Sequence, residues 1–349
     1  MNKRVVLAMS GGVDSSVALH LLLKRGYEVA GVTMQVGTMS ESDIEDAAKL
    51  AKRYGIEWHL IDLSEVFVKT VERYFVEEYE AGRTPNPCAF CNRAIKFGLL
   101  FDKMRARYPG CYYATGHYAR IEVNDDRFFL KQAVDEKKDQ SYFLARIKKE
   151  RLRDLIFPLG EYDKEQVREL ARDARIPVAD KGESQEICFI PDDDYRQYLR
   201  KTGVCPQPGE FMLENGETPG THNGFWQFTI GQRKGLGISY SEKLFVRSLN
   251  PLTGEVFLAP RGKMDDTGLI AEKLNDMVNR DLIMRKEDEM LKCKVRSGQR
   301  FCDASISVSG DRLHVGFKEP QFAVAPGQLC VVYDQEGRVL ISGWIKGSC

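Results

Sequence analysis

From Val5 to Lys24 the chain reads VVLAM, then Ser10, Gly11 and Gly12, then VDSSVALHLLLK. A buried strand, Val5–Met9, ends in two glycines and passes at once into a helix, Ser15–Lys24, closed by Gly26. A tight turn alone needs one glycine and no serine cluster. Strand, glycine turn and helix N-terminus in direct succession form an anion cradle. The glycines let an anion approach the backbone N–H groups, and the helix dipole adds partial positive charge. Ser10, Ser15 and Ser16 add hydroxyl donors. The Gly-Lys-Ser/Thr of a Walker A loop is missing, so this is a different kind of phosphate grip.

The pattern repeats downstream. Val29–Met34 reads as a second strand, Asp43–Tyr54 as a helix ending at Gly55, and Trp58–Leu63 as a third strand. Ser64–Glu80 is a long amphipathic helix, Tyr112–Thr115 a further strand, and Asp163–Ala174 a helix opening at an acidic cap. Strands alternating with helices imply a parallel sheet covered on both faces. At 349 residues the chain is long enough for two or three domains. Residues 205–219 are rich in proline and glycine and read as a boundary. After it come short apolar runs, "GFWQFTI", "KLFVRSLN" and "EVFLAP", expected as strands of a small module. "LKCKVRSGQ", "CDASISVSG", "RLHVGFKEP" and "LCVVYDQEGRVLISGWI" then alternate apolar and polar residues, as in a small antiparallel barrel. The expected division is 1–202, 203–270 and 271–349.

Bulk properties exclude some classes. Acidic and basic residues balance at 51 each, which rules out a globally basic nucleic-acid binder but not a basic face. No apolar run approaches ~18 residues, so no membrane span is expected. The N-terminus enters the first strand directly, so the expected location is cytoplasmic. The nine cysteines are then expected to be mostly small buried hydrophobes rather than structural disulfides.

The spacing Ser-Gly-Gly-x-Asp-Ser resembles the PP-loop of the ATP pyrophosphatases, which split ATP between the α and β phosphates and hand AMP to a substrate oxygen. Six further segments occur in order: "AGRTPNPCAFCNRAIKF" (81–97), "ATGHYAR" (114–120), "KKDQSYFLARI" (137–147), "GESQEICFIP" (182–191), "TIGQRKGLGI" (229–238) and "EPQFAVAPGQLCVVY" (319–333). Together they resemble the tRNA-specific 2-thiouridylase family across essentially the whole chain. The resemblance implies a PP-loop α/β domain, a β-rich middle module and a C-terminal β-barrel contacting tRNA. It implies replacement of the C2 oxygen of the wobble uridine, U34, by sulfur, with ATP and Mg2+, and a cysteine desulfurase or sulfur-relay protein as donor.

The site residues follow from that resemblance. Ala8, Met9, Ser10, Gly11, Gly12, Val13, Asp14, Ser15 and Ser16, with Met34 and Gly116, would bind the nucleotide. Cys188 would carry a persulfide, and Cys91 would attack it to free sulfide or to close a disulfide. Asn86, Pro87, Cys88, His117, Lys138, Asp139, Gln140, Arg296, Ser297 and Gln328 would contact the anticodon loop of tRNA. The basic stretch 146–153 suits phosphate contact, and Arg233 and Lys234 the RNA backbone. The family's Arg-Tyr pair is here Arg296-Ser297, which removes an aromatic. Where the common form has aspartate three residues before the first catalytic cysteine, this chain has Cys88. Cys88-x-x-Cys91 with Cys188 resembles the three-cysteine set of iron–sulfur tRNA thiolases, in which a [4Fe–4S] cluster keeps one iron open. Zinc and a redox dithiol are the alternatives. Two other readings remain: a PP-loop thiolase or ligase acting on another substrate, and a non-catalytic RNA-binding sulfur carrier, which would have no need of ATP.

Overall fold

The computed structural model describes residues 3–37, 39–179, 187–286 and 289–349. The first part of the "GESQEICFIP" segment, 182–186, lies outside them. Strands β1 (Arg4–Ala8), β2 (Glu28–Gln35), β3 (Glu57–Asp62), β4 (Tyr112–Thr115), β5 (Arg120–Asn124), β6 (Arg127–Lys131) and β7 (Leu155–Ile156) belong to the first domain. Five of them make an all-parallel sheet in the order β3-β2-β1-β4-β7. Both faces of β1 are covered, hence its unbroken apolar run. Val5 and Leu7 meet helices α1 (Val13–Lys24) and α2 (Glu41–Tyr54) on one side. Val6 meets Phe67, Phe75 and Leu100 on the other. The expected helix 64–80 forms, with a wider turn at Val68–Glu72. The helix at 164–173 is capped as read: Asp163 accepts from Gln166 N–H, and the Gln166 side chain answers to Asp163 N–H.

The middle module has strands β8 (Gly209–Leu213), β9 (Gly220–His222), β10 (Leu244–Leu249) and β11 (Val256–Pro260), ordered β10-β11-β8-β9. "GFWQFTI" is not a strand. Phe225–Gln227 is a short 3-10 turn that buries Phe225 and Trp226, with the indole N–H on the Cys205 carbonyl at 3.1 Å. A short apolar run without alternation does not by itself separate a strand from a buried turn.

Six strands close the C-terminal barrel: β12 (Asp265–Asp276), β13 (Leu291–Lys294), β14 (Cys302–Ser309), β15 (Arg312–Phe322), β16 (Leu329–Tyr333) and β17 (Val339–Ser348). Their order is β12-β15-β14-β13-β16-β17, with β17 returning to β12. The expected boundary at 270/271 falls inside β12, whose pairing with β15 begins at Asp265.

The barrel is pinned to the first domain by buried polar contacts. Arg146, expected to meet RNA phosphates, is instead 5% exposed. Its guanidinium donates to the Lys273 carbonyl at 2.7 Å and lies 5.4 Å from the Trp344 ring. Burial, the neighbouring Arg93 adding to it, pulls Arg146 down to about 10. Asn275 Nδ2 donates to the carbonyls of Ala145 (3.0 Å) and Ile147 (2.9 Å), and Arg93 donates to Asn275 Oδ1 at 2.8 Å. Arg151 likewise faces inward, onto the carbonyls of Phe97 and Gly98 and onto Asp102. Replacing Arg146 with Met should lower unfolding free energy by about 2–4 kcal/mol, because it strands buried carbonyls as well as removing charged hydrogen bonds. Denaturant titration tests this. A change below about 0.5 kcal/mol, the usual range of a surface substitution, would return Arg146 to the surface.

Candidate functional site

Gly12 is the N-cap of α1, at φ −94° and ψ 168°, and no side chain caps the helix. The serines face inward instead. Ser15 and Ser16 hydroxyls donate to the Gly12 carbonyl at 3.1 and 2.8 Å, and Ser10 N–H donates to Ser15 Oγ at 3.2 Å. The first-turn N–H groups are therefore left for a ligand. Gly11 turns at φ +73°, and a Cβ there would run into the Asp43 carbonyl. Gly116, just past β4, lies against the same turn: a Cβ would stand 2.8 Å from Ser15 N. An uncapped helix end that a methyl group would obstruct fits a phosphate. Met9 and Val13 are buried, so their side chains serve the core and only their backbone faces the turn. Ala8 and Met34 are half-buried and also pack on the core.

Asp14 is not free in this cradle. Lys164 Nζ stands 2.7 and 2.9 Å from its two oxygens, and the Tyr118 hydroxyl donates to Oδ1 at 2.8 Å. Neither Lys164 nor Tyr118 was expected here. Lys164 lies 150 residues from Asp14, beyond any local pattern.

The cysteine helix starts with a cap. Asn86 Oδ1 accepts from Ala89 N–H at 3.0 Å and Pro87 takes the first helical position. Both are buried, so their expected RNA contacts give way to helix initiation. Cys88 and Cys91 are one turn apart in Pro87–Cys91. The helix then widens into i→i+5 turns over Asn92–Leu100 and continues as Phe101–Arg107. In that register the residue one turn after Cys91 is Lys96. Cys91 packs into the core with Ala89 and Ile95, whereas Cys188 is exposed and Cys88 half-buried. Burial pushes the Cys91 thiol up to about 12, against the pull of the Lys96 ammonium. Burial also raises Cys88 and Cys188, and Lys96 opposes it at both. The resting thiols are protonated. Cys88, Cys91 and Cys188 share one electrostatic neighbourhood. Yet among the described residues no group of three or more His, Cys, Asp or Glu is arranged to hold a metal ion. Cys91 lies in the core and Cys188 at the surface.

His117 packs against Phe97, with ring centroids 5.7 Å apart, and shares a 2.7 Å hydrogen bond between Nδ1 and the Thr115 hydroxyl. Burial, with Lys96 second, holds its pKa well below the ordinary histidine value, so the imidazole is neutral. The other expected RNA contacts divide. Asp139 has no exposed side-chain surface; it accepts from Ser141 and pairs with Lys294 of β13 at 3.6 Å. Gln140 Oε1 accepts from Tyr118 N–H at 2.9 Å. Arg296 donates to the Phe322 and Ala323 carbonyls. Gln328 Nε2 donates to the carbonyls of Thr84 (3.2 Å) and Pro85 (3.0 Å), and Thr84 N–H donates to Pro326 at 2.8 Å. These four are internal braces in this structure. Lys138 is half-exposed, and Ser297, Arg233 and Lys234 are exposed.

Three family models match in succession: a tRNA methyl transferase HUP domain over 3–192, a tRNA methyl transferase PRC-barrel domain over 197–260, and an aminomethyltransferase beta-barrel domain over 266–345. The chain is 45% identical to tRNA-specific 2-thiouridylase MnmA 1 of Caldanaerobacter subterraneus subsp. tengcongensis, covering 99% of this chain and 98% of that one. It is 44% identical to tRNA-specific 2-thiouridylase MnmA of Carboxydothermus hydrogenoformans, over 98% of this chain and 96% of the other. The corresponding protein of Clostridioides difficile is 40% identical, over 99% and 98%. Among solved structures, an NMN synthetase from Francisella tularensis aligns with a TM-score of 0.35 at 20% identity, over 52% of this chain and 66% of that chain. Identity of this level along the full length, over a glycine-lined cradle and two cysteine segments, places the chain in the tRNA-specific 2-thiouridylase family.

Proposed function

We propose that this chain is an ATP-dependent tRNA-uridine 2-sulfurtransferase acting on the wobble uridine, U34. One observation carries the reading: the cradle and the cysteines belong to one site. Gly116 touches the first turn of α1. His117, the next residue, feels the same Lys96 charge as Cys88, Cys91 and Cys188. A carbonyl oxygen can leave only after activation, and sulfur must be delivered beside the point of activation.

ATP, as co-substrate, turns the C2 oxygen into an AMP leaving group and releases pyrophosphate. The N–H groups of the α1 first turn bind the phosphates, and Asp14 is the carboxylate placed to hold Mg2+. Exposed Cys188 accepts sulfane sulfur from an external donor, a cysteine desulfurase or a relay protein. The terminal sulfur of the Cys188 persulfide attacks C2, and AMP departs with the oxygen. Cys91, as thiolate, then attacks the Cys188 sulfur. The S–S bond to the transferred atom breaks, its electron pair stays with the new thiocarbonyl, and a Cys91–Cys188 disulfide remains. An external dithiol reduces that disulfide. Residues 1–202 carry this chemistry, while the middle module and barrel present the tRNA. Exposed Arg233, Lys234 and Ser297 are the side chains there for RNA contact, with half-exposed Lys138 added from the first domain. No described helix is long and apolar enough to cross a membrane, which suits an enzyme that meets tRNA in the cytoplasm.

The test is nucleoside mass analysis of tRNA after incubation with ATP and a desulfurase. Cys91→Ser and Cys188→Ser should each lose roughly 10³-fold or more in 2-thiouridine formation, as expected when one member of a catalytic unit is removed. Cys88→Ser should stay within about tenfold, since Cys88 makes no bond in this route. Loss at Cys88 equal to that at Cys91, with iron in the anaerobic protein, would instead establish a cluster.

Thiol reactivity gives a second check. Cys188 should react with iodoacetamide well before Cys91. Because burial favours protonated Cys91, its alkylation should climb about tenfold per pH unit from pH 7 to 9. Cys91 labelling faster than Cys188 at pH 7 would contradict the assignment of roles.

A further inference from the structure

The cradle carries no cation of its own. From Val5 to Leu23 the sequence holds neither lysine nor arginine, whereas a Walker A loop includes a lysine for the phosphates. Departing pyrophosphate bears several negative charges. The N-terminus of α1 offers about half a charge. Asp14, at the same turn, is negative and would oppose the leaving group unless matched.

Lys164 supplies what is missing. Its ammonium holds both Asp14 oxygens, at 2.7 and 2.9 Å, and lies 5.6 Å from the Tyr118 ring centroid. Its side chain is 17% exposed. The backbone is fixed: Lys164 N–H donates to Asp135 Oδ2 at 3.1 Å, and its helix packs on α1. The four-carbon stem is not fixed, and its ammonium can swing while the backbone stays still.

We propose that Lys164 is the phosphate-binding cation of this site, held on Asp14 while the cradle is empty and passed to the pyrophosphate end of the nucleotide when Mg2+ takes Asp14. The inference rests on reading the turn as an ATP cradle. Mg2+ is a hard cation that favours carboxylate and phosphate oxygens. Its arrival releases the lysine at the moment a phosphate is present to receive it. Asp14 and Lys164 each keep an opposite charge before and after the exchange, so no charge is left half-buried and alone.

Calorimetric binding of magnesium pyrophosphate and of AMP to the full-length protein separates the outcomes. Lys164→Met should weaken pyrophosphate binding about tenfold or more, the worth of one charged hydrogen bond, and AMP binding less than about threefold. Lys164→Arg should recover most of the loss. Without magnesium, Asp14→Asn should bind pyrophosphate more tightly than wild type, because the lysine is already released. The Asp14→Asn/Lys164→Met double variant should lose that gain. The double variant also keeps the pair neutral should Lys164→Met alone fail to fold. Equal losses for AMP and pyrophosphate, or no gain in metal-free Asp14→Asn, would make Lys164 a structural ion pair and overturn the proposal. Wild-type protein that binds neither AMP nor pyrophosphate would overturn the cradle reading itself.

Discussion

Everything in the first domain is arranged around one uncapped helix end. The sheet order β3-β2-β1-β4-β7 reverses direction between β1 and β4. In open parallel sheets the crevice beyond the carboxyl ends at such a switch point is where ligands bind. Here each of the two strands contributes a glycine at that place, Gly11 just after β1 and Gly116 just after β4. Gly116 keeps the first turn of α1 clear of a Cβ, and Gly11 lets β1 turn closely past the Asp43 carbonyl of α2. The inward-facing serines preserve the same opening by bonding to the Gly12 carbonyl rather than capping the N–H groups. A conventional serine N-cap would stabilise the helix by about 1 kcal/mol, and the site forgoes it.

The barrel acts on this domain as a brace. The Pro326–Gln328 turn holds Thr84 and Pro85 by three hydrogen bonds, directly before the Asn86 cap of the cysteine helix. Lys294 of β13 reaches buried Asp139, whose carboxylate also organises Ser141. The Tyr142 hydroxyl donates to the Leu329 carbonyl at 2.8 Å. The position of Cys88 and Cys91 is therefore set from the barrel side as well as from the sheet. Several side chains whose motifs suggested RNA contact turn out to be the pieces of this brace.

Local pattern made much of this legible. The β1 run, the acidic cap at Asp163 and the alternation of buried and exposed residues along β14 are each determined by neighbours within a few residues. What sequence did not show depends on distance along the chain. Lys164 reaches Asp14 across 150 residues, and Arg146 reaches Lys273 across 127. A basic stretch gives no sign of which arginines turn inward. The expected barrel start at 271 lies inside β12, which pairs with β15 from Asp265 onward through a register shift at Asp266/Gly268. Cys-x-x-Cys spacing puts two sulfurs on one helical turn but does not fix whether a third meets them.

The two ends of the site differ in how they hold charge at rest. At the cradle, the carboxylate and the ammonium neutralise each other. At the sulfur end Lys96 faces protonated thiols and a neutral His117, with no carboxylate partner among the described residues. An unmatched cation favours the appearance of negative charge beside it, whether a thiolate or the phosphate of an adenylated base. Protonated thiols also resist oxidation, since the thiolate is the reactive form. Protonation thus keeps the buried Cys91 thiol unreactive at rest, and the Lys96 charge opposes the burial that holds it protonated.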